Sequence, residues 1–149
     1  MNFNEETLKN LVKKRIEAEL EMSDQVKLKT GTLEFLESLK GKVKLALASM
    51  NNKPVIDCML TAGNVRDFFD VSLSADDVLN PKPDAEIFLK CASKLCLQPE
   101  QCVVIEDSVL GVRAAKAARM RCVAVLSGTA SKSELEQEQP DKMVASFDQ

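Results

Sequence analysis

Two adjacent carboxylates, Glu106 and Asp107, close the short apolar run Cys102-Val103-Val104-Ile105, and a helix-forming segment starts directly after them. A β-branched run of this kind suits a strand buried on both faces. In an open α/β sheet ligands sit outside the carboxyl ends of the strands, which is where such a turn would place both acids. Neighbouring carboxylates repel unless a cation or a basic group neutralises them, and a hard, oxygen-loving ion such as Mg²⁺ suits that task. The same residues are also an ordinary way to begin a helix, with Asp107 or Ser108 capping free N–H groups and acid favoured by the dipole. Locally, both readings stand.

Two other loops carry polar groups at comparable places. The run Val43 to Ala48 reads as a strand that delivers Ser49, Met50, Asn51 and Asn52 at its carboxyl end, ahead of a helix starting at Pro54. A hydroxyl, two amides and free backbone N–H groups there could hold a phosphate oxygen; an Asn-rich turn with proline at the first helical position is the plainer alternative. In Asn80-Pro81-Lys82-Pro83 the prolines are expected to hold Lys82 in an extended segment and present its ammonium from a rigid loop. Most surface lysines are merely solvated, so only context can raise this one.

The elements that must position these loops alternate between helix and strand. Glu5 to Glu21 reads as a charged amphipathic helix with Leu8, Leu11, Val12, Ile16 and Leu20 on one stripe. Ser23 to Gly31 reads as a connection. A short helix follows, with Leu33, Phe35, Leu36 and Leu39 inward and Gly41 ending it. The Pro54 helix buries Val55, Ile56, Met59 and Leu60; Val71 to Ser74 is a strand; a helix from about Asp84 buries Ile87, Phe88, Cys91 and Leu95. Beyond Asp107 come an alanine-rich helix in which Val109, Val112, Ala115 and Ala118, with Leu110, Ala114 and Ala117, recur at three- and four-residue spacing, a strand from Cys122 to Leu126, a short polar helix from Ser131 to Gln139 and an edge strand at Val144 to Phe147. Strands alternating with helices imply a parallel sheet covered on both faces.

Composition narrows the chemistry further. The chain has 149 residues, enough for one domain with a real core, and a net charge of −3 that offers no electrostatic case for nucleic acid. Its lack of histidine excludes Ser-His and Cys-His nucleophile pairs and His-ligated zinc within these residues. Neither a dinucleotide-binding nor a P-loop glycine pattern occurs. Five cysteines, mostly in apolar periodic segments, suit reduced core thiols. With no bilayer-length apolar run and no signal-peptide pattern at Met1, a cytoplasmic protein without membrane contact is expected.

Taken together, Ala46-Leu47-Ala48-Ser49, Lys82-Pro83 and Val104-Ile105-Glu106-Asp107-Ser108, with Gly111-Val112 and Ala114-Ala115, resemble motifs II, III and IV of the haloacid-dehalogenase-like hydrolases, particularly the β-phosphoglucomutase-like phosphatase and mutase group. Asp76-Asp77-Val78 and Ile87-Phe88 match in register, and the resemblance runs from about Thr30 to the end. It implies a Rossmann-like α/β core at residues 30–149, with residues 1–29 as a helix and linker left from a helical cap. It further implies a Mg²⁺-dependent phosphatase or phosphomutase acting on a small phosphorylated metabolite. Ser49 resembles the motif II residue whose hydroxyl, with the following N–H at Met50, binds the transferring phosphoryl group, and Asn51 or Asn52 is a further candidate phosphate contact. Lys82 resembles the motif III lysine that neutralises phosphate charge, and Glu106 and Asp107 resemble the acids that hold Mg²⁺. Phosphoryl transfer asks mainly for such positioning and neutralisation.

The departures from the family pattern matter as much. The first family strand carries Asp-x-Asp, whose first aspartate is the nucleophile, and no Asp-x-Asp occurs in these 149 residues. That strand lies at the centre of the family's sheet, between the strand ending at Ser49 and the one ending at Asp107. Without it two buried strand edges lack partners, so the sheet is expected to close the gap, to form a homo-oligomer or to borrow a strand from a partner chain. A non-catalytic binding or interaction module is therefore the alternative to an enzyme. Arg119 stands where the family usually has a glycine, and an arginine argues against a left-handed turn there.

Overall fold

The computed structural model describes residues 4–22 and 27–148. Helix α1, Glu5–Glu21, starts at Asn4, whose side chain accepts the Thr7 N–H. It lies on α3, and Arg15 reaches Asn52 at 2.6 Å. None of its residues is buried, and Leu8, Leu11 and Val12 on the apolar stripe are exposed. Part of the connection expected next, Ser23 to Val26, lies outside the described residues.

Among the described residues five short parallel strands follow, in two separate sheets. Strand β1, Ala46–Ala48, pairs with β2, Val71–Leu73. Strand β3, Val103–Glu106, pairs with β4, Arg121–Val125, which pairs with β5, Lys142–Val144. The alternation of strand and helix thus produces the expected parallel α/β architecture, but β1 and β3 are not hydrogen-bonded to one another. The gap between the strand ending before Ser49 and the strand ending at Glu106 is left open.

The first sheet is covered on both faces. Alternation along β1 sends Leu47 to a cluster formed by Leu36 of α2 (Thr32–Leu39) and by Ile56 and Leu60 of α3 (Lys53–Ala62). Ala46 and Ala48 face the main core on the other side, where α4, Glu86–Lys94, supplies Ile87, Phe88 and Cys91. The small side chains of α5, Val109–Ala117, let it lie close on the second sheet, with Val112, Ala114 and Ala115 wholly buried. Leu135 of α6, Lys132–Gln137, completes that core from beyond α5.

Several expectations change. Strand β3 is not buried on both faces: Val104 is, whereas Val103 and Ile105 are 50% and 40% exposed, because nothing described covers their side of the sheet. Leu33 is exposed rather than inward, since α2 turns only Leu36 fully into the core. The last strand comes earlier than Val144 to Phe147, because Asp141 holds the Cys122 N–H at 2.7 Å and fixes the register of β5 from its start. Arg119 does adopt left-handed backbone, with φ of 59°, so the turn after α5 keeps that geometry at a residue with a Cβ.

Candidate active site

Lys82 is the centre of the candidate site. It sits in a tight turn closed by the Asp84 N–H donating to the Pro81 carbonyl, and the Lys82-Pro83 peptide is cis. The loop is thus turned rather than, as expected, extended. The ammonium lies over the Phe88 ring, 4.7 Å from its centroid. The ammonium donates to the Ala48 carbonyl at 3.2 Å and forms an ion pair with Glu106. Both side chains of this pair are about nine-tenths buried, so each charge depends on the other for solvation.

Glu106 is fixed from three sides. Its other oxygen accepts from the Ser108 hydroxyl at 3.0 Å, and that hydroxyl in turn caps α5 by accepting the Gly111 N–H. Gly111 is required there by space: a Cβ at this position would overlap the Glu106 carboxylate. The capping reading and the acidic-site reading thus fall on different residues of one turn, Ser108 capping and Glu106 facing inward.

Asp107 behaves differently. Its side chain is 45% exposed and lies 3.7 Å from the Lys29 ammonium, which also donates to the Ser127 carbonyl. Gly128 lets the following turn pass close by, since a Cβ there would meet the Asp107 carboxylate at 2.8 Å. Among the described residues no group of three or more carboxylate, thiol or imidazole side chains is placed to hold a metal ion. Mg²⁺ nevertheless takes only one or two carboxylates and fills its remaining positions with water and phosphate oxygens. Asp107 fits that role, whereas Glu106 is already engaged by Lys82 and Ser108.

Ser49, Met50, Lys82, Glu106 and Asp107 line one cleft of about 700 Å³ at the carboxyl ends of β1 and β3. Ser49 is held there because its N–H continues the β1–β2 ladder to the Leu73 carbonyl. Its hydroxyl accepts the Asn51 N–H at 3.2 Å. The Asn51 side chain turns away to the Met59 sulfur at 4.0 Å and does not line the cleft. Asn52 is likewise occupied, between Arg15 and Asp76, and Asp76 also accepts the Lys53 N–H at the start of α3.

Lys29 and Phe147 join the cleft without any sequence signal, one from a connection and one from near the chain's end. Gly111 belongs to the motif match, but that it makes room for the Glu106 carboxylate, and Gly128 for the backbone carbonyl and carboxylate of Asp107, follows only from the fold. Thiol chemistry is remote from this site's capacities: burial pushes Cys91 and Cys122 up to about 11, keeping both protonated near neutrality. What the arrangement can do is hold an anion against a buried ammonium, a hydroxyl and backbone N–H groups, with one exposed carboxylate beside it.

The sequence and the fold have known counterparts. A family model described as haloacid dehalogenase-like hydrolase matches residues 1–125. A phosphorylated carbohydrates phosphatase of Thermotoga maritima is 40% identical over 109 residues, covering 71% of this chain and 50% of that protein. The structure of a β-phosphoglucomutase from Clostridium difficile matches with a TM-score of 0.85 at 27% identity, over 97% of this chain and 63% of that one. A hydrolase from Pseudomonas syringae matches with a TM-score of 0.89 at 26% identity, over 99% and 68%. The chain spans half or less of the length of the curated relatives it matches.

Proposed function

Because the chain belongs to the haloacid dehalogenase-like hydrolases, we propose that it carries the phosphate-binding and metal-binding part of a phosphatase or phosphomutase site for a small phosphorylated metabolite. The observation that carries this reading is the buried Lys82 ammonium, held by Ala48 and Glu106 in the same cleft as Ser49. A phosphoryl group placed there would accept from the Ser49 hydroxyl and the Met50 N–H, while Lys82 neutralises its charge. Asp107, with water and phosphate oxygens, would hold Mg²⁺, which supplies further neutralisation of the transferring group. Glu106 acts through Lys82 as a positioning residue. The phosphatase named among the relatives, which acts on phosphorylated carbohydrates, favours a sugar phosphate as the metabolite.

A second reading has its own observation. The family's nucleophile lies in an Asp-x-Asp segment, and these 149 residues hold none. The chain by itself then binds phosphate without transferring it, as a non-catalytic module or as one part of a divided site.

The test is binding of inorganic phosphate to the 149-residue chain, measured by calorimetry with and without Mg²⁺, beside hydrolysis of an aryl phosphate. Saturable binding that Mg²⁺ strengthens, weakened at least about tenfold by Lys82→Met and made Mg²⁺-independent by Asp107→Asn, is expected. Phosphate binding unchanged in Lys82→Met would reject the site. Hydrolysis by the wild type, lost in both variants, would reject the non-catalytic reading and require a nucleophile within this chain.

A further inference from the structure

Among the described residues, Lys29, Lys82, Glu106 and Asp107 are the charged ones that line the cleft. The last three have parts in the function proposed above, and Lys29 has none. Its position is nevertheless built. The turn from Lys29 to Thr32 is closed by the Thr32 N–H donating to the Lys29 carbonyl at 3.0 Å. Within it Gly31 takes left-handed backbone, with φ of 81°, and a Cβ there would meet the Asp148 backbone nitrogen at 3.1 Å. The turn is thus seated against the same segment that brings Phe147 to the cleft.

Two oxygen atoms from different loops converge on the Lys29 ammonium. One belongs to the Asp107 carboxylate after β3, 3.7 Å away, and the other is the Ser127 carbonyl after β4, to which the ammonium donates. Gly128 permits this convergence, because a Cβ there would run into the Asp107 carbonyl and carboxylate. A carboxylate beside a carbonyl suits a hard cation, and here the chain's own ammonium stands between them. The contrast with Lys82 decides what that ammonium can do. The Lys82–Glu106 pair is about nine-tenths buried, so neither charge can leave the other without losing its only solvation. The Lys29 and Asp107 side chains are 52% and 45% exposed, so their attraction is weak and screened, and a divalent ion can displace it.

We propose that Lys29 is a tethered cation that competes with Mg²⁺ for Asp107 and so sets how readily the site takes up its metal. The proposal rests on the reading of Asp107 as a metal-binding residue. While the ammonium faces Asp107, a divalent ion brought to the same carboxylate meets a like charge at close range. Uptake of Mg²⁺ therefore requires the lysine to swing away, and its exposure leaves room for that. In the absence of metal the ammonium neutralises Asp107, so an incoming phosphate does not meet an unpaired carboxylate.

The test is a titration of the isotopically labelled 149-residue chain with magnesium chloride and no substrate, the dissociation constant being read from the Asp107 and Gly128 amide resonances. Lys29→Met and Lys29→Gln remove the charge and should each bind Mg²⁺ at least about threefold more tightly, with unchanged far-ultraviolet circular dichroism. Lys29→Arg restores the charge and should stay within about twofold of the wild type. Lys27→Met, which removes an exposed charge from the same connection, should also change the affinity by less than about twofold. Unchanged or weaker binding in both neutral Lys29 variants, or equal tightening in Lys27→Met, would overturn the proposal. Asp107→Asn separates the two claims. Loss of Mg²⁺ binding there, with no effect of the Lys29 variants, sinks the competition alone. Mg²⁺ binding indifferent to Asp107→Asn sinks the metal reading and the competition with it.

Discussion

Replacing Gly111 by alanine sets two ordinary effects against each other. Gly111 lies in the first turn of α5 and is not among the positive-φ glycines, so in open surroundings alanine would gain about 1 kcal/mol of helix propensity. Here the added Cβ would overlap the Glu106 carboxylate, which must swing away from Lys82 and Ser108. Losing the Ser108 bond costs about 1 kcal/mol. Removing one partner of a buried ion pair costs about 3–5 kcal/mol; displacing it toward an open cleft should cost roughly half of that. The net expectation for Gly111→Ala is a loss of about 2 kcal/mol, measured by urea unfolding at neutral pH with an unchanged m-value. In a Glu106→Ala background the obstacle is gone, and the same substitution should gain up to about 1 kcal/mol. Stabilisation of similar size in both backgrounds would refute the claim that Gly111 exists to seat Glu106.

Other expectations are simpler. Glu86 accepts from Lys90 and from the Asn80 and Leu79 N–H groups, which hold its carboxyl down at about 2. Its contribution is therefore present above its ordinary value near 4.5 and is lost as pH falls toward 2, so Glu86→Gln should flatten the fall of melting temperature between pH 5 and 2. Arg119→Gly, at φ of 59°, should raise stability by up to about 1 kcal/mol in thermal unfolding, less whatever the added freedom of the unfolded chain takes back. A thiol-specific reagent at neutral pH should label the exposed Cys96 first and leave the buried Cys91 and Cys122 unreacted until the chain unfolds.

Much of this arrangement was legible before the fold was seen, for reasons particular to each residue. Helix α1 could be read to its bounds because nothing but its own caps decides where it ends. The order of strand and helix around Ser49, Lys82 and Asp107 was legible because Ser49 and Asp107 each end a hydrophobic run and Lys82 stands between two prolines. Exposure of Val103 and Ile105 was not, since an apolar β-branched run has the same composition whether or not a neighbour covers it. The separate duties of Glu106 and Asp107 were equally hidden. Adjacent positions gave no sign that one faces Lys82 across the cleft while the other meets Lys29 from a connection without periodicity. Arg119 shows the opposite limit: the turn after α5 is imposed by the packing of Ala118 and Met120, and the local preference of one arginine yields to it.

A sheet in two pieces also divides how the molecule comes apart. No backbone ladder joins β1 and β2 to β3, β4 and β5, so the halves are coupled through side chains: α4 rests on α5 in a shared core, the Phe35 ring of α2 lies 5.5 Å from that of Phe147, and Lys82 reaches both Ala48 and Glu106. Amide exchange should then report two cooperative units of different free energy rather than one. The smaller cluster around α2 and α3 should open without taking with it the main core, to which α4 belongs. Whatever ties the seam together turns two local stabilities into a single global one.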